Sequence, residues 1–256
     1  RSVSLDRVDW VDGWPVIGED KDGDGCGNPV LTWRKPSVPF SRIVNPAESD
    51  EFNTVDLGLQ WEWHSNYHDL YGFTTPYGYM RLYSWPVSKK YVNLWEASNL
   101  LLQKFPAEAF TATTKVTMVS KEDGQEGGLI VMGWDYSALT VRREGDKFLL
   151  CQRTCKDAEQ GGKETVRELS RFAPSARQTI IYSPTVSREI YLRVLVEAGG
   201  KCRFAYSLDG EKFTACGEPF QARQGKWIGA KVGFVCVEPH AEPAVNRGWM
   251  DVDWFR

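Results

Sequence analysis

Histidine is scarce, paired thiols are missing and no long apolar run occurs; each absence removes a class of function. The 256 residues contain three histidines, His64, His68 and His240. None stands at zinc-ligand spacing from the six cysteines (Cys26, Cys151, Cys155, Cys202, Cys216, Cys236), which form no CxxC pair. A zinc site is not expected, and His64 and His68, four apart in a loop or strand, do not bring two rings to one ion. The cysteines read mostly as small buried apolar residues, with one disulfide open if the protein is exported. No run approaches the roughly 20 apolar residues that cross a bilayer, and no charged start with a greasy core marks a signal. Charge of one sign is lacking as well: 31 Lys and Arg against 34 Asp and Glu leave a formal charge of -3. With basic residues scattered, neither nucleic acid nor a membrane surface is expected as a partner. No Gly-rich phosphate loop follows a strand and no serine sits in a nucleophile elbow. The chain opens on Arg1 rather than methionine, which points to a processed product or a piece of something longer.

What is present is aromatic and strand-like. Eleven Trp, ten Tyr and twelve Phe within 42% hydrophobic residues supply a sizeable core. The first forty residues stand apart. Val8 to Ile17 and Pro29 to Trp33 are apolar-rich, and Gly18 to Asn28 between them is dominated by residues that tolerate turns. This predicts a hairpin with a long acidic tip. The proline-punctuated stretch Arg34 to Phe40 reads as a linker, so residues 1–40 form a hairpin and linker, with a boundary near 36–46 before a domain over 46–256.

That domain is predicted to be all-β. Leu57 to Trp63 alternates with period two, setting Leu57, Leu59, Trp61 and Trp63 on one face and Gln60 and Glu62 on the other. Phe110 to Val119 alternates likewise, with Phe110, Ala112, Thr114, Val116 and Met118 on one side. Further strands are predicted at 129–132, 138–142, 148–152, 179–182, 190–197, 203–208, 230–237 and 251–255. Turn signals stand at Glu144-Gly145-Asp146, Ala198 to Lys201 and Leu208 to Glu211. Val92 to Phe105 and Lys163 to Phe172 hold at most a short helical turn. Many short antiparallel strands without helical crossovers make a two-sheet jelly-roll sandwich.

Particular segments carry a more specific likeness. Leu57 to Asn66 (LGLQWEWHSN), Gly78 to Leu82 (GYMRL), Asn99 to Gln103 (NLLLQ), Phe110 to Thr114, Gly128 to Val131, Tyr206 to Gly210 and Asp251 to Phe255 resemble, in order and spacing, the concanavalin-A-like domain at the C-terminus of glycoside hydrolase family 43 enzymes such as β-xylosidases and arabinofuranosidases. The likeness runs from about Asp50 to Arg256. Trp14 to Gly18 and Asp20 to Gly25 resemble the end of the five-bladed propeller that precedes it in that family. The resemblance implies a catalytic propeller domain as partner, plant-type polysaccharide (xylan or arabinan) as the glycan, and a secreted, periplasmic or cell-surface setting. It also implies that the family's acidic catalytic residues lie upstream, so no catalytic residue is expected here.

Candidate functional residues follow. Pyranose rings offer an apolar face and a rim of hydroxyls, which exposed aromatics paired with amide, carboxylate or guanidinium groups recognise. Gln60, Trp61, Trp63, His64, Asn66, Tyr79, Arg81, Trp134 and Tyr136 are the glycan-binding or interface candidates, although alternating tryptophans in a sandwich normally fill its core. Glu62 and Asp135 are the acids beside such rings, and a hydrolase built on them is the third reading, after an accessory domain and an independent carbohydrate-binding module. For calcium, Asp20, Asp22 and Asp24 with Gly25 look like half of an EF-hand loop whose twelfth position is Leu31; a solvated tip is the alternative. The resemblance implies a better-placed structural calcium where the first and last strands meet, on Glu51 and Asp253 with Asp50.

Overall fold

The computed structural model describes residues 5–34, 37, 42, 44–87, 90–180, 183–238 and 247–256, with backbone alone at 177–180 and 183–184; His240 lies outside the described residues. The chain divides into two compact units, Arg1–Asn45 and Pro46–Arg256.

In the first unit, β1 (Val8–Val11) pairs antiparallel with β2 (Trp14–Ile17). The turn between them is Asp12-Gly13, both at positive φ (51° and 80°), as a two-residue hairpin turn requires. The hairpin predicted across Gly18 to Asn28 is therefore displaced: the acidic stretch is a separate loop closed by a bridge between Glu19 and Asn28. The reason is local, because Asp-Gly is the stronger turn signal and lies inside what reads as a single apolar run.

The second unit is the expected all-β sandwich. Its strands are β3 (Glu62–Trp63), β4 (Gly72–Thr74), β5 (Met80–Tyr83), β6 (Trp85–Pro86), β7 (Leu101–Lys104), β8 (Phe110–Ser120), β9 (Glu126–Met132), β10 (Tyr136–Glu144) and β11 (Lys147–Cys155). They continue with β12 (Thr165–Phe172), β13 (Ala176–Ile180), β14 (Ser183–Glu197), β15 (Lys201–Ser207), β16 (Thr214–Gln221), β17 (Lys231–Glu238) and β18 (Trp249–Phe255). One sheet runs β16-β15-β14-β8-β18-β5-β4, with β13 on β14; the other runs β12-β11-β10-β9-β17-β7-β3, with β6 on β17. The hairpin turns read at 144–146, 198–201 and 208–211 join β10 to β11, β14 to β15 and β15 to β16.

The period-two residues of both sheets meet between them. Ala112, Val116 and Met118 of β8 and Ile190, Leu192 and Val194 of β14 pack against Leu129 and Val131 of β9, Leu139 and Val141 of β10, and Phe234 of β17. The second sheet is buried on its other face too: Ile130, Met132, Tyr136, Ala138, Val235 and Val237 lie beneath Val87, Leu94 and Ala97. Burial on both faces explains why β9 and β17 are near-continuous apolar runs and not alternating ones.

The two segments expected to hold at most a short helical turn both keep to that limit. Lys163 to Phe172 holds no helical turn; Thr165–Phe172 is strand β12, at the sheet's edge and mostly exposed. Edge position explains its polar, weakly periodic sequence. Val92 to Phe105 divides between a 3₁₀ turn, Leu94–Glu96, capped by the Asn93 side chain, and β7.

Beneath the covering segment lies a charge cluster that no local pattern announces. The Arg153 guanidinium donates to Glu126 (2.8 Å), to Glu164 (3.0 and 2.6 Å) and to the Tyr91 hydroxyl (2.6 Å). All three charged side chains are buried. Burial opposes the Arg153 charge, but Glu126 and Glu164 outweigh it and raise its pKa.

All six cysteines are free. Burial pushes the thiols of Cys151, Cys202, Cys216 and Cys236 up to about 12, and that of Cys155 upward; Cys26 alone is exposed. A thiol reagent at pH 8 is expected to label Cys26 rapidly in the native protein and the other five only after unfolding, since the thiolate is the reactive form; mass spectrometry of the labelled peptides checks this. Arg153→Met is expected to cost about 3–5 kcal/mol in urea unfolding, because it strands two buried carboxylates, with much of the loss recovered on adding Glu126→Gln and Glu164→Gln.

Candidate functional site

The solvent-facing side of the first sheet carries the clearest recognition geometry. Antiparallel register sets Asp251 of β18 opposite Arg81 of β5, and Trp249 opposite Tyr83. The Arg81 guanidinium makes a two-pronged pair with Asp251, Nε at 2.7 Å and Nη2 at 2.9 Å. It lies 4.6 Å from the Trp249 ring centre and 5.5 Å from that of Tyr79, and donates to the Tyr79 hydroxyl at 3.3 Å. Burial works against the Arg81 charge, yet the Asp251 carboxylate prevails and raises its pKa. Beyond Tyr79, the ring of Tyr77 stacks at 6.2 Å with a 17° interplanar angle and is 82% exposed. Of the sequence candidates, Tyr79 and Arg81 are thus brought together, and Trp249 and Asp251 join them. Their signal was the alternation of Trp249, Asp251 and Asp253 along the last strand.

The other aromatic candidates divide. Trp61 is buried, its ring centre 5.3–5.7 Å from those of Phe52, Phe234 and Phe255, and it belongs to the core. Trp63 is half-buried and packs with Tyr67 and Tyr71. The predicted common face fails at Leu59, which is fully exposed: residues 58–61 turn, closed by the Trp61 N–H donating to the Gly58 carbonyl at 3.1 Å, with Asp50 holding the Trp61 indole, and only Glu62–Trp63 is strand. Gln60 stands half-buried, 3.4 Å from Asp50, and Asn66 is exposed. His64 Nε2 donates to the Trp95 carbonyl at 2.9 Å, and burial lowers its pKa. Trp134 lies under Arg223 at 5.4 Å.

Tyr136 requires correction. It is fully buried, accepts from the Leu94 N–H at 2.9 Å and donates to Glu164, so its hydroxyl fastens the covering segment and faces no glycan. Burial, ahead of the Glu164 charge, raises its pKa.

The two suspected acids are not opposed. Glu62 sits on terminal strand β3 and pairs with Lys231 at 3.0 Å. Asp135 follows β9, accepts from the Asp157 N–H at 2.8 Å and pairs with Arg223 at 3.0 Å. Strands β17 and β7 intervene, and three strand spacings come to roughly 14 Å, beyond the ~5–9.5 Å at which two carboxyls share a glycosidic bond.

The metal candidates behave differently from one another. The sandwich ends do lie side by side, with Asp50 and Phe255 exchanging both backbone hydrogen bonds at 2.8 Å. Their carboxylates are committed elsewhere: Asp50 accepts from the Trp61 indole and the Phe52 N–H, both at 2.8 Å. Glu51 holds Arg256 at 2.7 and 2.9 Å, and Asp253 holds Lys115 at 2.7 Å. The three do not converge, so these residues as placed do not fit a calcium site. Among the described residues, only Asp20, Asp22 and Asp24 gather, with ligand oxygens within 4.8 Å. There Asp20 accepts from the N–H groups of Gly23 and Gly25, and Asp24 from that of Cys26.

Residues 49–256 match the family model described as the β-xylosidase C-terminal concanavalin A-like domain. A β-xylosidase of Formosa agariphila is 28% identical over 274 residues, covering the whole of this chain and 42% of its own length. A putative β-xylosidase of Xylanibacter ruminicola is 29% identical over 243 residues, covering 91% of this chain and 39% of that protein. The chain thus spans about two fifths of these relatives. Among solved structures, a xylan β-1,4-xylosidase from Bacillus halodurans shares the fold with a TM-score of 0.63 at 18% identity, over 98% of this chain and 46% of that one.

Because Asp50 serves two donors, Asp50→Ala is expected to lower stability by about 1–3 kcal/mol, the cost of stranding buried polar groups. The Trp61 emission should shift to longer wavelength before global unfolding; unchanged fluorescence and stability would show that Asp50 is not the joint.

Proposed function

The chain belongs to the family of β-xylosidase C-terminal concanavalin A-like domains, and from that premise we propose that it is the non-catalytic companion of a family 43-type glycoside hydrolase domain. In this reading it docks to a catalytic propeller and contacts xylan- or arabinan-type polysaccharide, outside the cytoplasm where such polymers are met. The observation that carries the proposal is the state of its acids. Glu62 and Asp135 each hold a separate cation on distant parts of one sheet, so the chain supplies no opposed carboxyl pair there and the cleaving groups come from a neighbour. Exposed Trp10 and Trp14, at 71% and 72% on the first unit's hairpin, are surfaces that an interface covers.

A second reading, a carbohydrate-binding module acting by itself, is favoured by the Tyr77, Tyr79, Arg81 and Trp249 array, whose rings and guanidinium suit a sugar's apolar face and hydroxyl rim. Assays of the chain on aryl β-xyloside and aryl arabinofuranoside are expected to give no release above blank; turnover abolished by Glu62→Gln or Asp135→Asn would overturn the proposal. In affinity electrophoresis, xylan or arabinoxylan is expected to retard the chain, and Tyr79→Ala to weaken retardation several-fold, the scale of one lost ring contact.

A further inference from the structure

A cleft of about 380 Å³ opens on the second unit where residues 46–48, 59–62 and 103–106 meet. That size falls within the ~300–1,000 Å³ of small-molecule sites. We propose that it is a saccharide subsite that holds one neutral pyranose unit of an oligosaccharide, separate from the Tyr79–Arg81 face. The inference rests on the reading of the chain as a glycan-contacting domain and adds a location and a ligand class to it.

The walls are built, and three features show it. Gln103 is buried, and its Nε2 donates to the Glu48 carbonyl at 2.9 Å, which fixes one wall to strand β7. Phe105 is held edge-on by Phe110, ring centres 4.9 Å apart at 72°. Gln60 folds back over Gly58, where a Cβ would lie 2.2 Å from its Oε1, so the amide lies in the space that a side chain at position 58 would occupy. On the rim stands Leu59, fully exposed, an apolar side chain with no partner in the fold's own packing.

The chemistry of the lining selects the ligand. Glu48, Gln60, Glu62 and Lys104 present carboxylate, amide and ammonium groups, which between them accept from and donate to hydroxyls at several positions. Phe105, Leu59 and the prolines 46 and 106 offer the apolar surface that a ring's C–H face needs. Charge also discriminates. Two carboxylates, Glu48 and Glu62, are matched by Lys104 and by Lys231, 3.0 Å from Glu62. The cleft therefore has no excess of either sign to attract a uronate, a phosphate or a cation, and a neutral polyol fits it best. Glu62, read from sequence as a possible reacting acid, becomes a hydroxyl acceptor.

The test is calorimetry of the full chain with xylotetraose, alongside ¹⁵N chemical-shift mapping. Lys104→Ala and Gln60→Ala are each expected to raise Kd about tenfold, the effect of one lost hydrogen bond to a sugar hydroxyl. Shifts should concentrate on residues 46–48, 59–62 and 103–106. Lys104 is an exposed side chain, so its removal reports on binding and not on folding. Binding that survives both cleft variants, or shifts gathered around Tyr79 and Trp249, would overturn the cleft while leaving glycan contact standing. No heat and no shift up to roughly 10 mM tetraose, well past the ~1 mM of weak sites, would overturn the cleft; retardation by xylan in that same preparation would show that the broader reading survives it.

Discussion

Closure of the sandwich at Asp50 is the constraint from which most else follows. One residue exchanges two backbone hydrogen bonds with Phe255 while its carboxylate takes the Trp61 indole and the Phe52 N–H. Phe52 adopts left-handed backbone at φ 50°, a conformation costly for an aromatic residue, and the ring cluster of Phe52, Trp61, Phe234 and Phe255 compensates. With Trp61 drawn inward, the preceding residues have to turn, which expels Leu59 toward solvent. Charged groups finish the seam, Glu51 to Arg256 and Asp253 to Lys115, doing between chain ends what the family resemblance assigns to an ion.

The second constraint is that the other sheet is covered on both faces. An uncovered sheet face is where a sandwich would offer a long groove. Here Val87, Leu94 and Ala97 lie across it, fastened by Tyr136 to Leu94, by Asn93 to the carbonyls of Ala158 and Gly162, and by Arg153 to Tyr91. Polar recognition is thereby displaced to the outer side of the first sheet and to the margin near β3, where a two-residue strand leaves room beside β7.

How much of this was legible depends on whether the controlling contact was local. Strand β8 was readable because its alternation reflects a half-buried surface, and the Gly145, Gly199 and Gly210 turns because positive φ writes itself in residue type. Lys163 to Phe172 was ambiguous since an edge strand buries too little to impose a period. Tyr136 and Asp135 were misleading because an aromatic or an acid carries no mark of the partner that claims it, here Glu164 and Arg223, each distant in sequence. The cleft draws on three separated segments, and only Gln60 among its polar groups stood out beforehand. The family likeness reached further than periodicity, since shared segments encode pairings that one sequence does not display.

Juxtaposed ends also have an architectural consequence. Because Asp50 and Phe255 are neighbours, with Arg256 further tied to Thr113 by two backbone bonds, the domain enters and leaves at one point of its surface. Such a body can be grafted as a cassette into a loop of another protein, or circularly permuted by joining its ends and reopening the exposed Ala198 to Lys201 turn, without redrawing a single strand pairing of either sheet.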